Sequence, residues 1–354
     1  MLRQLARLTR PLPAAGPNAL AVAVYAGIDD EILAAQESGF EGVACVDDAA
    51  RLLGVLCDTW ARAPLPAIGR WAAGVLEFVL WMQEPEGHWV NFVLDWDGGR
   101  NDSGITSATG ENFWHARALD ALSRAWPTFG DGRAENALNR GLEHAVPATA
   151  PSDVRALHVQ VGLRLIREAN RSDLEPVVRS WTREIVACSR GDVLMNNPDE
   201  RDEPHLWAHL QEGVLAEAGV LLGDPDLVHV AQRSAEALLA PIVRRGFDRP
   251  HTTSYDVASA AFGLDRLAVA AGDDTWSELA ALTRVWFDGR NPAGSAVYDR
   301  ARGRVADGVD GTTVSRNSGA EANIEAAAAL PDDAVASAPL AEPLLPSVPM
   351  TGSP

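Results

Sequence analysis

Residues 45–81 read CVDDAARLLGVLCDTWARAPLPAIGRWAAGVLEFVLW, and this stretch decides the fold. Apolar residues recur at helical spacing on both sides of a short proline-containing segment, APLP (63–66). The stretch therefore predicts two helices, near 46–62 and 64–83, that a tight turn joins into an antiparallel hairpin.

The same unit recurs along the chain. Tight turns at GDPD (223–226) and AGDD (271–274) alternate with long loops at 84–110, 189–204 and 289–318. The predicted helices lie near 46–62, 64–83, 111–126, 132–146, 152–169, 174–188, 205–222, 225–243, 252–272, 274–288 and 319–330. Hairpins thus start near 46, 111, 152, 205, 252 and 319, a spacing of roughly 40–65 residues that indicates a repeat architecture.

Six hairpins predict an all-α fold closed into a ring. The first helix of each pair is expected to line the inside and to begin at the mouth, where the long loops gather. Small β excursions are expected in those loops, for example at 296–311. We expect residues 1–40 to be an N-terminal extension, 41–330 the ring domain, and the proline- and alanine-rich segment 331–354 a disordered tail.

Composition disfavours several classes of function. The formal charge of −19, from 49 acidic and 30 basic residues, disfavours nucleic-acid or membrane partners. All basic residues are arginine, so chemistry that needs a lysine, such as a Schiff base or a P-loop, is disfavoured too. Cys45, Cys57 and Cys188 show no CxxC spacing, which predicts neither a disulfide framework nor a zinc ribbon. We expect a cytoplasmic protein without a cofactor.

Polar and aromatic residues concentrate at the predicted helix starts. The six starts read CVDD (45–48), TGENFWHAR (109–117), APSDVRALH (150–158), EPHLWAHLQE (203–212), HTTSYD (251–256) and RNSGAE (316–321). Carboxylates can transfer protons, aromatic faces can stack on sugars, and amides and imidazoles can bind hydroxyls. This set is typical of a carbohydrate site.

Some of these residues have a simpler explanation as helix caps. An aspartate at a helix start often closes free backbone N–H groups, so we expect one of Asp47 and Asp48 to cap and the other to function. Glu111 could equally act through the helix dipole. His205 and His209, four residues apart, could share a metal, but the HEXXH pattern is absent, and we predict sugar contacts and no metal.

Three separated motifs resemble one family. The segments are VACVDDAARLLGVL (43–56), GHWVNFVLDWDGGRND (87–102) followed by HARALDAL (115–122), and the long stretch 285–330 that ends SRNSGAEANIEAAAAL. They are similar to the CTDDNARAL, NFMSYDRRW…HGRALWAL and NxNxGAES motifs of the glycoside-hydrolase-like domains that accompany glycosyltransferases in bacterial glycan loci.

The resemblance implies an (α/α)6 toroid of the six-hairpin glycosidase type. It matches Asp47, Asp48 and Arg51 to DDxAR, Asn91 to NF, His115 and Arg117 to HGRAL, and Asn317, Gly319 and Glu321 to NxGAE. One departure stands out, since the family has a Glu-Asp pair before HGRAL where this chain has Asn112 and Phe113.

We therefore expect a glycoside hydrolase with carboxylates as acid and base, and inversion is the preferred stereochemistry. The expected catalytic residues are Asp48, Glu111 and Glu321. The expected substrate-binding residues are Asp47, Trp89, Asn91, Trp114, His115, Arg117, His205, Trp207, His209, His251, Tyr255, Asp256 and Asn317.

Two alternatives stay open at this point. One is a non-catalytic glycan-binding module that partners a glycosyltransferase. The other is a sugar epimerase built on a histidine pair such as His205 and His251. The expected ligand in every case is an oligosaccharide or glycan, whose identity the sequence does not give.

Overall fold

The structure is a computed structural model that describes residues 1–346. It is mainly helical with only short strands, which confirms the predicted all-α class. The helices are α1 (Leu2–Leu8), α2 (Val46–Arg62), α3 (Pro66–Trp81), α4 (Phe113–Phe129), α5 (Gly132–Ala145), α6 (Ser152–Ala169), α7 (Glu175–Ala187), α8 (Gln211–Leu222), α9 (Pro225–Ser234), α10 (Ala240–Arg244), α11 (Ser254–Ala271), α12 (Asp274–Arg284), α13 (Ala320–Ala329) and α14 (Pro331–Ala341).

The strands form small antiparallel pairs in the loops, as predicted. They are β1 (Thr9–Pro11), β2 (Leu20–Val22), β3 (Tyr25–Ala26), β4 (Ile32–Leu33), β5 (Ala44–Cys45), β6 (Phe92–Val93), β7 (Ser189–Arg190), β8 (Val193–Leu194), β9 (His251–Thr253), β10 (Tyr298–Asp299), β11 (Arg304–Val305), β12 (Gly308–Asp310) and β13 (Thr313–Val314). The pairs are β1 with β2, β3 with β4, β5 with β6, β7 with β8 and β10 with β11, and β12 lies between β9 and β13.

The chain divides into two compact units. Unit 1 comprises Met1–Ala148, Tyr298–Asp307 and the described residues from Arg316 onward, and unit 2 comprises Thr149–Val297 and Gly308–Ser315. Within unit 1 the hairpins are α2–α3, α4–α5 and α13–α14, and α2 packs against both α4 and α13. The first helices of the three hairpins therefore form one layer.

Unit 2 repeats this arrangement with its own three hairpins. They are α6–α7, α8–α9 and α11–α12, and α8 packs against both α6 and α11. Helix α9 continues through a π-helical turn, Ala235–Leu239, into α10. The turns after α8 and α11 use Gly223 and Gly272, which adopt left-handed φ values of 67° and 62°.

The periodicity of apolar residues located most helices closely. Helices α2 and α6 have the predicted ends, and the remaining boundaries shift by a few residues. The exception is α8, which begins at Gln211 rather than near 205. Residues 205–210 form a turn in which Ala208 has a φ of 56°, a conformation that cannot continue a right-handed helix.

The prediction of a disordered tail is wrong for residues 331–344. They form α14 and a short 3-10 turn, Glu342–Leu344, whereas 347–354 lie outside the described residues. Pro331 occupies the first helical position, where its missing N–H has no cost, and the following alanines favour helix. Helix α14 packs on α1, α2 and α13 and so supplies the second helix of the sixth hairpin.

The predicted domain boundaries at residues 40 and 330 stay predictions. In unit 1, helix α1 packs on both α13 and α14, so elements from outside the predicted ring domain contribute to the same core. None of the helices within residues 1–346 combines the length and the apolar character that crossing a membrane requires.

A chain that ends at Leu330 should be less stable than one that ends at Pro346. Removing α14 uncovers apolar side chains of α1, where Leu2, Leu5 and Leu8 are fully buried. Exposing one leucine costs about 1.5–3 kcal/mol, so we expect the free energy of unfolding in urea to fall by at least about 1.5 kcal/mol. Equal stability of the two chains would show that α14 contributes no packing energy.

Candidate functional site

Loop residues satisfy the buried start of α2. The N–H of Val46 donates to the Asn91 carbonyl at 2.8 Å, that of Asp47 to Asn91 Oδ1 at 3.0 Å, and that of Asp48 to Cys45 Sγ at 3.4 Å. Asn91 and Cys45 therefore cap the helix. Neither aspartate does so, which corrects the prediction that one carboxylate of the pair would be the cap.

The carboxylates instead gather around one arginine. Nitrogen Nη2 of Arg51 lies 3.1 Å from Asp47, 2.6 Å from Asp48 and 3.1 Å from Glu321, and Nη1 lies 2.7 Å from Glu325. Only Glu321, whose side chain is 47% exposed, reaches solvent substantially. This cluster, Arg51 with its four carboxylates, is called the Arg51 network below.

Burial changes the protonation of the Arg51 network. It raises the pKa of Asp48 to about 7, which Arg51 opposes and the negative charges of Asp47 and Glu321 reinforce. Burial also raises the pKa of Glu325. One arginine shared by several carboxylates thus leaves a proton on the network near neutral pH. Arg117 adds a second cation through an ion pair with Asp47.

Glu111 contacts two histidines. Its Oε1 lies 3.4 Å from His88 Nε2 and 3.7 Å from His115 Nε2. His115 is fully buried, and its Nε2–H donates to the Gly141 carbonyl at 3.2 Å. Burial, with the neighbouring His88, lowers the pKa of His115 to about 3, so the ring is neutral at physiological pH.

Two tryptophans fix the loop that carries His88. The indole N–H of Trp114 donates to the Trp89 carbonyl at 3.0 Å, and that of Trp89 donates to the Val79 carbonyl at 2.9 Å. Trp89 was predicted to stack on a sugar, but it is fully buried and packs in the core of unit 1. The prediction rested on the position of Trp89 in a long loop, which usually means exposure. This loop folds inward and buries the indole.

The start of α13 is held by Asp307. The N–H of Gly319 donates to Asp307 Oδ1 at 2.6 Å, and the N–H of Asp307 donates to the Asn317 carbonyl at 3.1 Å. A Cβ at Gly319 would lie 2.8 Å from the Val24 carbonyl oxygen, so this position requires glycine. Asn317, predicted to bind substrate, is exposed.

In unit 2, Asn196 joins two predicted helix starts. Its carbonyl accepts the N–H groups of Ser152 at 2.7 Å and Asp153 at 3.3 Å, which are the first residues of α6. Its side-chain amide donates to the His205 carbonyl at 2.9 Å, and its Oδ1 accepts from His209 Nδ1 at 2.8 Å. A single buried asparagine therefore positions Asp153 beside the loop of His205.

His205 lies between a carboxyl group and an exposed aromatic face. Its Nδ1–H donates to the Trp207 carbonyl at 2.9 Å, which leaves Nε2 with the lone pair, 3.5 Å from Asp153 Oδ2. The ring stacks on Trp207 with centroids 3.8 Å apart and planes at 8°. Trp207 is 39% exposed, and Tyr255 lies 6.4 Å from it, centroid to centroid.

Burial favours the neutral form of both His205 and Asp153. It lowers the pKa of His205, and it raises the pKa of Asp153 to about 6 against the hydrogen bond from the Val154 N–H. His205 is therefore neutral near pH 7, and its basic nitrogen faces a carboxyl group whose pKa is also shifted toward the neutral form. Trp207, Asp153 and His205 are called the His205 site below.

His209 and Glu212 form a buried pair behind that site. His209 Nε2 lies 3.1 Å from Glu212 Oε1, which also accepts from the Ser234 hydroxyl at 2.6 Å. Burial acts to raise the pKa of Glu212, but the charge and hydrogen bonds of these partners outweigh it and hold that pKa below its usual range. His209 is 1% exposed, so it supports the loop and does not reach a ligand in this conformation.

At the start of α11, the polar residues cap the helix. Thr253 and Asp256 form a reciprocal capping box, so Asp256 has a structural role. His251 pairs with Asp310 at 2.5 Å across β9 and β12, and both side chains are exposed. The partner that the structure places beside His205 is Asp153, whereas the predicted histidine pair named His251.

Sequence reasoning missed four residues of these clusters: His88, Asp153, Asn196 and Glu325. Asp153 lies in a helix start that was singled out, so the signal was present. Glu325 follows Glu321 by one helical turn, a spacing that places both on one face. Asn196 and His88 lie inside long loops, where no periodicity marks them.

The comparisons with known proteins show the fold. No protein-family model and no curated protein sequence matches the chain. Among solved structures, D-mannose isomerase is similar with a TM-score of 0.70 at 10% identity, covering 94% of both chains. A sugar epimerase from a ruminal bacterium has a TM-score of 0.67 at 13% identity, covering 88% of this chain and 91% of that one.

A hydrolase is similar as well. A glycoside hydrolase family 9 endoglucanase has a TM-score of 0.57 at 13% identity and covers 94% of this chain and 84% of its own. All three are (α/α)6 toroid enzymes that act on carbohydrates. The predicted (α/α)6 toroid is thereby confirmed, and the fold is one that carbohydrate-active enzymes use.

Replacing Arg51 should destabilise the protein strongly. Arg51→Met leaves buried carboxylates without their cation, which typically costs about 3–5 kcal/mol of unfolding free energy. The matched control is Arg62→Met on the same helix, whose ion pair with Asp332 is exposed and worth about 1 kcal/mol or less. Urea unfolding of both variants measures the difference, and similar losses would contradict a central role for Arg51.

The stability difference between the wild type and Asp48→Asn should depend on pH. The unfolded aspartate loses its proton near pH 4, whereas folded Asp48 keeps it to about pH 7. The folded state thus holds an extra proton in this window, and the wild type should lose stability relative to the variant as pH rises from 4 to 7. Asp58→Asn, at an exposed site on α2, is the control. A difference that is constant with pH would contradict the raised pKa.

Proposed function

We propose that this protein is a carbohydrate-active enzyme that epimerises or isomerises a sugar by proton transfer at the His205 site. The carrying observation is that neutral His205 directs its lone-pair nitrogen toward Asp153 while its ring stacks on exposed Trp207. A base, a carboxylate partner and an aromatic surface are what such a reaction needs from the protein.

The proposed chemistry follows from the protonation states. His205 Nε2 takes the proton from the carbon next to the carbonyl of an open-chain sugar, and the imidazolium that forms is stabilised by the Asp153 carboxylate, 3.5 Å away. The proton loss leaves a planar enediolate. If that enediolate turns over in the site before His205 returns the proton to the same carbon, the product is an epimer. If the proton returns to the former carbonyl carbon, while the hydroxyl proton of the deprotonated carbon passes to the former carbonyl oxygen, the product is an isomer. The Trp207 ring offers the apolar face on which sugar C–H groups stack.

The similar structures support this class. D-mannose isomerase and the ruminal sugar epimerase have higher TM-scores than the endoglucanase and cover most of both chains. One is an isomerase of D-mannose and the other a sugar epimerase, which are reactions of the proposed kind. At 10–13% identity these likenesses concern the fold, so the His205 site carries the argument for the reaction.

A glycoside hydrolase is the second candidate, because the Arg51 network contains an acid with a suitable pKa. Asp48, with a pKa of about 7, resembles a general acid poised near neutral pH. Its Oδ1 and Glu321 Oε2 both lie within about 3 Å of one Arg51 nitrogen, closer together than the roughly 6.5–9.5 Å of inverting enzymes. This pair would therefore favour retention. However, Asp48 is 2% exposed and Glu111 contacts the histidines instead, so the His205 site is preferred.

The class of reaction also indicates a substrate and a setting. We infer that the substrate is a sugar or short glycan, and that the protein works in the cytoplasm beside enzymes of glycan synthesis. A glycosyltransferase partner rests on the family resemblance alone.

A solvent-exchange experiment tests the reaction. The protein is incubated in D2O with D-mannose, D-glucose and cellobiose, and proton NMR follows the products. Proton transfer through His205 replaces a C–H by a C–D bond in the product, whereas hydrolysis leaves the sugar carbons unlabelled. We expect His205→Gln to lower the rate by about 10²–10⁴-fold, and Asp153→Asn to lower it as well.

Matched variants separate the two candidates. His229→Gln changes an exposed histidine of unit 2 and should retain full exchange. The wild-type rate should fall below about pH 6, as Asp153 takes up a proton. Release of reducing sugar that Asp48→Asn abolishes and His205→Gln does not would replace the epimerase by the glycosidase. Glycan binding without any product from either assay would favour the binding module.

A further inference from the structure

Three of the eight histidines gather with Glu111 in unit 1. The ring of His88 lies 3.8 Å from that of His144 and 5.1 Å from that of His115, measured between centroids. Glu111 Oε1 lies 3.4 Å from His88 Nε2 and 3.7 Å from His115 Nε2. Neither the proposed reaction at the His205 site nor the hydrolase candidate at the Arg51 network uses these side chains.

We propose that His88, Glu111 and His115 bind a divalent transition-metal ion of the Zn²⁺ type. One donor atom from each residue lies within 4.8 Å of the other two. Ligands about 2.0–2.2 Å from a tetrahedral zinc are about 3.3–3.6 Å apart, and both Glu111 contacts are already close to that spacing. The remaining distance is that between the donor nitrogens of His88 and His115, which is at most 4.8 Å. His88 is partly exposed on its loop, and a small movement of its ring brings this distance to the same spacing.

The protein scaffold holds the three donors in place. Glu111 and His115 are four residues apart at the start of α4, and the Asn112 side chain fixes that start by accepting the His115 N–H at 3.0 Å. The Trp114 indole bonds to the carbonyl of Trp89, next to His88. The His88 ring also rests on His144, whose Nε2–H donates to the Glu86 carbonyl at 2.5 Å. The loop and the helix therefore present the donors from fixed backbones.

The donor set selects the kind of ion. Two imidazoles and one carboxylate suit Zn²⁺ and its late first-row neighbours, whereas Mg²⁺ and Ca²⁺ prefer oxygen ligands. Metal binding at His115 Nε2 exchanges the hydrogen bond to Gly141 for a coordinate bond, and the carboxylate of Glu111 balances part of the ionic charge. Three protein ligands leave a fourth position for water or another small ligand.

Metal titration tests the site without any assay of activity. Tag-free protein is treated with EDTA, dialysed and titrated with Co²⁺, whose visible absorption reports coordination by protein ligands, and then with Zn²⁺ in competition. We expect one equivalent of Co²⁺ per chain, displaced by Zn²⁺. His88→Gln and Glu111→Gln should weaken binding by more than about 100-fold, beyond the roughly 10–100-fold that loss of an outer-shell partner costs.

Control variants make the assignment specific. His229→Gln changes an exposed histidine, and His205→Gln changes the other histidine cluster that spacing had suggested for a metal; both should bind Co²⁺ as the wild type does. Circular dichroism confirms folding, and the buried His115 is left unchanged so that a folding defect cannot imitate ligand loss. The proposal is overturned by substoichiometric binding in the wild type, by unchanged binding in His88→Gln and Glu111→Gln, or by loss of binding in His205→Gln.

Discussion

The requirement that free backbone N–H groups at buried helix starts find acceptors shapes both units. At α2 the acceptors come from Asn91 and Cys45, at α6 from the Asn196 carbonyl, and at α13 from Asp307. In each case at least one acceptor belongs to a residue of a long loop. The hydrogen bond therefore also fixes that loop against the helix start. The loops are therefore structural partners of the helices, and their fixed positions are what bring side chains together.

This requirement explains how much the sequence could predict. Helical hairpins follow from apolar periodicity, which is a local property, so the ends of α2 and α6 could be predicted correctly. The partners of a helix start are distant in sequence, so neither the Asn91 cap nor the linking role of Asn196 could be predicted. A polar helix start can also serve the helix itself, since Asp256 closes its own capping box. The turn before α8 depends on Ala208, which adopts a left-handed φ of 56°. Alanine rarely adopts this conformation, so the residue type gave no indication of a turn.

The Arg51 network and the His205 site use carboxylates for different purposes. Arg51 makes contacts through both terminal nitrogens, and a lysine, with one nitrogen, could not serve four carboxylates in this geometry. A carboxylate held in this way has little freedom to approach a ligand. Among residues 1–346, the basic side chain paired with Asp153 is the neutral imidazole of His205, 3.5 Å away, which can itself accept a proton. The Arg51 network therefore holds its carboxylates in ion pairs, whereas the His205 site sets a carboxyl group beside a base.

The start of α4 is built without a charge at its cap. Asn112 is the N-cap, and asparagine caps a helix about as well as aspartate, so the helix start needs no carboxylate there. The ring of Phe113 lies 5.0 Å from the Arg117 guanidinium, a cation–π contact beside the cap. Glu111, one position before the cap, faces His88 and His115. Both neighbours of Glu111 are imidazoles, which bind protons and metal ions through nitrogen lone pairs. Glu111 is therefore better placed to share a bound cation with them than to protonate a leaving group.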